Sequence, residues 1–221
     1  MPDKFDCIIV GTGFAGSFFL HQYLKEAPAS ARVLVLECGR KDTLAWQLEN
    51  RKNSSWEGPS FHNPSHDKKW TSNVAFGGGS NCWWACTPRM LPGDFNVKST
   101  HGVGEDWPLS YEDLEPWYAK TEQLMSVSGD NRIDAVAPRS TPYPQAPHRL
   151  TDVDKLLAKA WPDHFFPMPT ARARTATSTR PGCCNTGICH LCPIAAKFTV
   201  LNDFAGLYED PRVTLKLGHR V

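Results

Sequence analysis

The sequence predicts an α/β fold that opens on a β–α–β unit, and three observations carry the prediction. Residues 5–10 (Phe-Asp-Cys-Ile-Ile-Val) form a short run rich in strand formers. The glycine turn Gly11-Thr12-Gly13-Phe14-Ala15-Gly16 follows at once and leads into a segment of helical length. A second apolar run, residues 32–36, then ends in Glu37. In this context each part of the turn has its own task. Gly11 permits the tight bend, Gly13 lets a pyrophosphate approach the backbone, and Gly16 lets the helix pack on the strand. The helix N-terminus presents unpaired N–H groups, those of Phe14, Ala15 and Gly16, and the positive end of its dipole. Glu37 falls about twenty residues beyond the turn, where a carboxylate can accept from ribose hydroxyls. The unit therefore reads as a Rossmann-like dinucleotide site.

The remaining elements follow in order. Residues 14–26 make the first helix, with Phe18, Phe19, Tyr23 and Leu24 expected on its buried stripe and Pro28 closing it. The polar stretch 40–72, with Trp46, Trp56 and Trp70, is expected to cross the surface as a short helix plus an extended loop. A second glycine cluster occupies residues 75–95. Ser110 with Asp113 three residues on is a capping box, and it starts a helix through Leu114, Trp117, Tyr118, Thr121 and Leu124. Pro138, Pro142, Pro144 and Pro147 mark an extended connector over residues 136–149. Residues 152–161 form a short amphipathic helix. A cysteine cluster follows, then an expected helix near residues 195–208, and a last strand over residues 213–217. A doubly wound sheet needs more strands than these three, so the expectation is an incomplete fold.

Composition narrows the function classes. The net charge of +1 gives no electrostatic case for nucleic acid or an anionic membrane surface. No apolar run approaches the roughly 20 residues of a membrane span. No signal peptide precedes the first strand, so the sequence reads as cytoplasmic, with export alongside a partner subunit as the alternative. The eight cysteines are Cys7, Cys38, Cys82, Cys86, Cys183, Cys184, Cys189 and Cys192. Cys7 is expected as a small core residue, and the last four suggest metal or redox chemistry rather than a disulfide scaffold.

In the second glycine cluster, Phe76-Gly77-Gly78-Gly79-Ser80-Asn81-Cys82-Trp83-Trp84 runs on to Arg89 and Asp94-Phe95. Three glycines and a serine permit close backbone approach to a ligand, and the Trp pair argues against a solvated turn. These segments, with the first glycine turn, Leu36-Glu37, residues 106–118 and residues 197–221, resemble the glucose-methanol-choline (GMC) family of flavin oxidoreductases. The branch they resemble is that of bacterial sugar and sugar-acid dehydrogenases and pyranose-type oxidases.

The resemblance implies FAD. Gly11, Gly13 and Gly16 would hold its pyrophosphate and Glu37 its adenosine ribose. Gly78, Gly79, Ser80 and Asn81 would lie along the pyrophosphate and isoalloxazine, and Val221 would contact adenine. Some relatives carry a covalently linked His where this chain has Cys82; non-covalent FAD is the expectation. The implied reaction is hydride transfer from an alcohol carbon of a sugar, polyol or sugar acid, with a small subunit or cytochrome as electron acceptor. The catalytic His of the family lies in a part that no segment here matches, and none of the eight His is assigned as a base.

Cys183-Cys184 and Cys189-His190-Leu191-Cys192-Pro193 have the spacing C-C-x4-C-x2-C-P, which resembles iron–sulfur ligation. Some bacterial FAD sugar dehydrogenases of the family carry a [3Fe–4S] cluster on a comparable segment, for which Cys184, Cys189 and Cys192 would supply three thiolates. Packed thiols, zinc with His190, and a disulfide are the alternatives that the spacing leaves open. The expected organisation is an FAD-binding region at residues 1–100, a helical and Pro-rich substrate-side region at 101–180, and a return to the FAD-binding region at 181–221. An NAD-dependent dehydrogenase, or a truncated FAD-binding chain without turnover, are the rival functions.

Overall fold

A computed structural model describes residues 4–53, 64 and 73–221. Trp56, Trp70 and the extended part of the 40–72 expectation lie outside the described residues. The chain divides into two compact units, Met1–Trp84 with Asn185–Val221, and Ala85–Cys184.

The first unit is built on a three-stranded parallel sheet of order β1-β2-β3, formed by β1 (Cys7–Val10), β2 (Val33–Glu37) and β3 (Val213–Leu217). Parallel neighbours need a crossover, and helix α1 (Phe14–Glu26) is the one between β1 and β2. Strand β2 is central and buries Val33, Val35 and Glu37. Strand β1 buries only Ile9; Ile8 is 60% exposed and Val10 62%. Cys7, expected in the core, is accordingly only half-buried.

The turn after β1 behaves as its glycines require. Gly11 has φ +88°, a left-handed conformation, while its N–H continues the ladder to the Leu36 carbonyl at 2.7 Å. At Gly16 a Cβ would lie 2.2 Å from the Gly11 carbonyl oxygen, so only glycine lets α1 start this close to β1. The buried residues of α1 are Ser17, Leu20 and Leu24, a stripe of helical period. Phe19, expected on that stripe, points outward and stacks on Tyr23 at 5.8 Å. Phe18 instead packs against Phe204 at 5.0 Å and Phe198 at 5.8 Å.

The short helix expected within residues 40–72 is α2 (Leu44–Asn50), capped by the Thr43 hydroxyl. The helix expected near residues 195–208 is replaced by a π turn (Val200–Phe204) followed by a 3-10 turn (Ala205–Glu209). Val200, Asn202, Asp203 and Gly206 are poor helix formers, and burial of Phe198, Val200 and Phe204 decides the path instead.

The second unit carries α3 (Val97–His101), α4 (Tyr111–Met125) and α5 (Asp152–Ala160). Ser110 and Asp113 form the expected capping box at the start of α4, and Thr151 and Asp154 form another on α5. The face of α4 that carries Tyr111, Glu115 and Glu122 surrounds Arg89. Its guanidinium donates to both oxygens of Glu122 (2.8 and 2.9 Å), to Glu115 (3.0 Å), to the Tyr111 hydroxyl (3.1 Å) and to the Pro138 carbonyl (3.2 Å). Arg139 also bonds Glu122 and lies over the Tyr143 ring. Burial alone would lower the Arg89 pKa, but the bonds to Glu122, Tyr111 and Glu115 outweigh it and hold the pKa above its ordinary value. Among the described residues, no helix is long and apolar enough to cross a membrane.

Candidate dinucleotide site

The site begins at the N-terminus of α1. Gly13 is its N-cap and offers no side-chain cap, and no acidic residue stands in the first turn. The N–H groups of that turn have no intrahelical acceptor, and the dipole adds positive potential. A Cβ built on Gly13 meets nothing within 4 Å, so open space lies beside the turn. Uncapped donors, no competing carboxylate in the first turn and room for close approach are what a pyrophosphate requires, and the residues present fit one.

The second glycine cluster meets this turn directly. Gly77 and Gly78 have φ of +90° and +50°, and residues 78–81 close into a 3-10 turn. A Cβ on Gly78 would lie 3.1 Å from the Gly13 Cα. Ser80 and Asn81 are buried and hold the second turn's shape. The Ser80 hydroxyl donates to the Gly77 carbonyl at 2.6 Å and accepts from the Val200 N–H at 3.1 Å. The Asn81 amide donates to the Phe76 carbonyl at 2.8 Å. Gly79, like Gly13, has open space at its Cβ position. The Cys82 thiol donates to the Gly79 carbonyl at 3.6 Å.

Glu37 is buried, and both of its oxygens already accept protein hydrogen bonds. Oε2 accepts from the Thr12 N–H at 2.9 Å and the Thr12 hydroxyl at 2.6 Å; Oε1 accepts from the Gly39 N–H at 2.8 Å. A carboxylate has about four acceptor positions, so Glu37 retains little capacity beyond its own turn. The segment after β3 passes alongside: the His219 N–H donates to the Glu37 carbonyl at 3.0 Å, and Val221, two residues on, is exposed. The structure thus brings Gly11, Gly13, Phe14, Ala15, Gly16, Glu37, Gly78, Gly79, Ser80 and Asn81 into one region.

Trp83 and Phe14 flank this region, edge to face at 4.6 Å, and the indole N–H donates to the Phe198 carbonyl at 2.9 Å. Trp84, the other member of the pair that argued against a solvated turn, is 56% exposed, with its ring 6.2 Å from that of His190. Behind Trp83 lies Lys197, the first residue of the 197–221 segment, to which the sequence assigned no role of its own. Its buried ammonium donates to the carbonyls of Asn81 (2.7 Å), Trp83 (3.0 Å) and His190 (3.0 Å). Burial lowers its pKa to about 8. A cavity of about 20 Å³ adjoins it, lined in part by Gln47, Asn81, Cys192 and Thr199.

The cysteine expectation fares differently. None of the eight cysteines is in a disulfide. Among the described residues, no three Cys, His, Asp or Glu side chains are gathered so as to hold a metal ion. An iron–sulfur cluster on Cys184, Cys189 and Cys192 therefore finds no support. Cys184 is exposed, Cys189 is buried and Cys192 is half-buried, accepting from the Ala196 N–H at 3.3 Å.

No family model matches the chain. Its relatives include the fructose dehydrogenase large subunit of Gluconobacter japonicus, 29% identical over 87% of this chain and 41% of the relative. A 6'''-hydroxyparomomycin C oxidase of Streptomyces lividus is 27% identical over 97% of the chain and 41% of the relative. A 2-methyl-1,2-propanediol dehydrogenase of Mycolicibacterium austroafricanum is 29% identical over 58% and 25%. The chain is related to the GMC-type oxidoreductases. Pyridoxine 4-oxidase from Mesorbium loti shares its fold, with a TM-score of 0.56 at 16% identity, over 99% of this chain and 43% of that one. A fungal aryl-alcohol oxidase does so with a TM-score of 0.52 at 17% identity, over 100% and 40%. The chain spans about two fifths of the length of the first two of these curated relatives.

Proposed function

We propose that this chain is the FAD-binding portion of a GMC-type oxidoreductase acting on an alcohol carbon of a sugar, polyol or sugar acid. The observation that carries the reading is the uncapped N-terminus of α1 facing open space and meeting a second glycine turn, with Gly78 against Gly13. An NAD site needs the first turn but not the second. When bound, the flavin would supply the hydride acceptor. The chain's own residues would bind and orient it: Gly11, Gly13, Phe14, Ala15 and Gly16 at the pyrophosphate, Glu37 toward the ribose, Gly78 to Cys82 along the rest of the cofactor, and Val221 at the adenine. The names of the relatives, sugar and alcohol dehydrogenases and oxidases among them, support the substrate class. One relative is by name a large subunit, which supports a partner subunit as electron acceptor and, with it, export as the alternative to a cytoplasmic location.

The test is to purify the chain and record its visible spectrum. A yellow protein that releases FAD on denaturation is expected; a colourless protein that binds NAD overturns the proposal. Turnover of alcohols with an artificial electron acceptor separates a competent enzyme from a binding portion alone.

A further inference from the structure

Thr12 occupies a variable position of the glycine turn, and it is fully buried with every polar atom engaged. Its N–H and its hydroxyl both donate to Glu37 Oε2, at 2.9 and 2.6 Å. The same hydroxyl oxygen accepts the Gly77 N–H at 2.9 Å. Its carbonyl accepts the Ser17 hydroxyl at 2.8 Å, and Ser17 is in turn 2.6 Å from the Tyr208 hydroxyl, whose ring packs edge-on against Phe76. One side chain therefore joins the first glycine turn, the acid at the end of β2 and the second glycine turn.

We propose that Thr12 is a positioning residue for the dinucleotide: its hydroxyl sets the spacing of the two glycine turns and aims Glu37. This rests on the FAD reading above. The geometry gives the hydroxyl two duties, of which the second has no backbone substitute. As a donor it holds Glu37 Oε2 inward together with the Thr12 N–H, so that Oε1, which accepts the Gly39 N–H, keeps the one acceptor position left for a ribose hydroxyl. As an acceptor it fixes the Gly77 N–H, and with it the turn through Gly78 that touches Gly13. A position treated as indifferent in the fingerprint thereby couples the pyrophosphate and ribose ends of the site. Valine matches threonine in shape and removes only these two bonds, leaving the Gly77 N–H buried without an acceptor.

The experiment titrates FAD into the apo chain and follows flavin fluorescence, for wild type, Thr12→Val and Thr12→Ser, well below each melting temperature. Wild type is expected to bind, Thr12→Val to bind about tenfold more weakly or worse, and Thr12→Ser to stay within about threefold of wild type. Equal FAD affinity in folded Thr12→Val and wild type, with only a lower melting temperature, would assign Thr12 to stability and overturn the proposal. Failure of the wild type itself to bind FAD would sink the cofactor reading and this proposal together. Should Thr12→Val not fold, Thr12→Ala against Thr12→Ser isolates the same hydroxyl, and equal affinities there overturn the proposal as well.

Discussion

Alanine at Gly13 and at Gly16 should separate cofactor approach from packing within one turn. At Gly16 the added Cβ lies 2.2 Å from the Gly11 carbonyl oxygen and 3.2 Å from Ile9 Cγ2. The first contact is with backbone and cannot be relieved by a rotamer change, so α1 must move off β1. Overpacking of this kind costs about 1–3 kcal/mol or more. For a chain of this length each kcal/mol shifts Tm by about 2–4 °C, so Gly16→Ala should melt roughly 2–12 °C lower. At Gly13 the Cβ meets nothing within 4 Å, and φ −69°, ψ −169° is backbone that alanine adopts. Stiffening the unfolded chain contributes about 0.4–1 kcal/mol, and the poorer N-cap loses a similar amount, so apo Tm should stay within about 2 °C. A bound pyrophosphate would meet the new methyl, however. Losing one charge-assisted bond to the helix N-terminus weakens binding about tenfold or more. Apo thermal melts and FAD titrations on both variants decide the matter. Wild-type FAD affinity in Gly13→Ala would refute the placement of the pyrophosphate, and a wild-type melting temperature in Gly16→Ala would refute the packing argument.

Three further outcomes are expected. Arg89→Met takes one of two guanidinium partners from buried Glu122, which keeps Arg139, and the guanidinium from half-buried Glu115, and should cost about 2–3 kcal/mol in denaturant unfolding; an unchanged midpoint would contradict the network. Lys197 titrates at about 8 when folded, lowered by burial, against 10.5 as its ordinary value. Between those values the unfolded chain binds more protons, so stability rises with pH. From pH 8 to 10 the wild type should gain on the order of 2 kcal/mol relative to Lys197→Met, and parallel pH profiles for the two would show that the ammonium is not desolvated. Ser110→Ala removes the cap of α4 and should cost about 1 kcal/mol, read by chemical denaturation, with no effect on FAD affinity.

Local rules made much of this protein legible. The capping box at Ser110, the strands that became β1, β2 and β3, and the glycine turn at residues 11–16 depend on neighbours in sequence, and each is in place. The stripe on α1 was misread at Phe19 because aromatic residues at helical spacing do not reveal which face meets the sheet. The helix expected near residues 195–208 failed because burial of Phe198, Val200 and Phe204 outweighed a pattern already weakened by Gly206. Cys184, Cys189 and Cys192 read as a ligand set by spacing and by resemblance, yet neither brings thiols to a common point.

By itself, then, the sequence determined a β–α–β unit with a glycine turn, an acid at the right distance and a second glycine cluster, because backbone freedom and strand or helix preference are properties of short segments. Tertiary structure alone decided that the two clusters meet. The Gly13–Gly78 contact, the Thr12 hydroxyl shared between Glu37 and the Gly77 N–H, and the Lys197 ammonium held by three carbonyls all join residues far apart in the chain. Such bonds form only once a buried core has excluded water as the competing partner, and no local pattern encodes them.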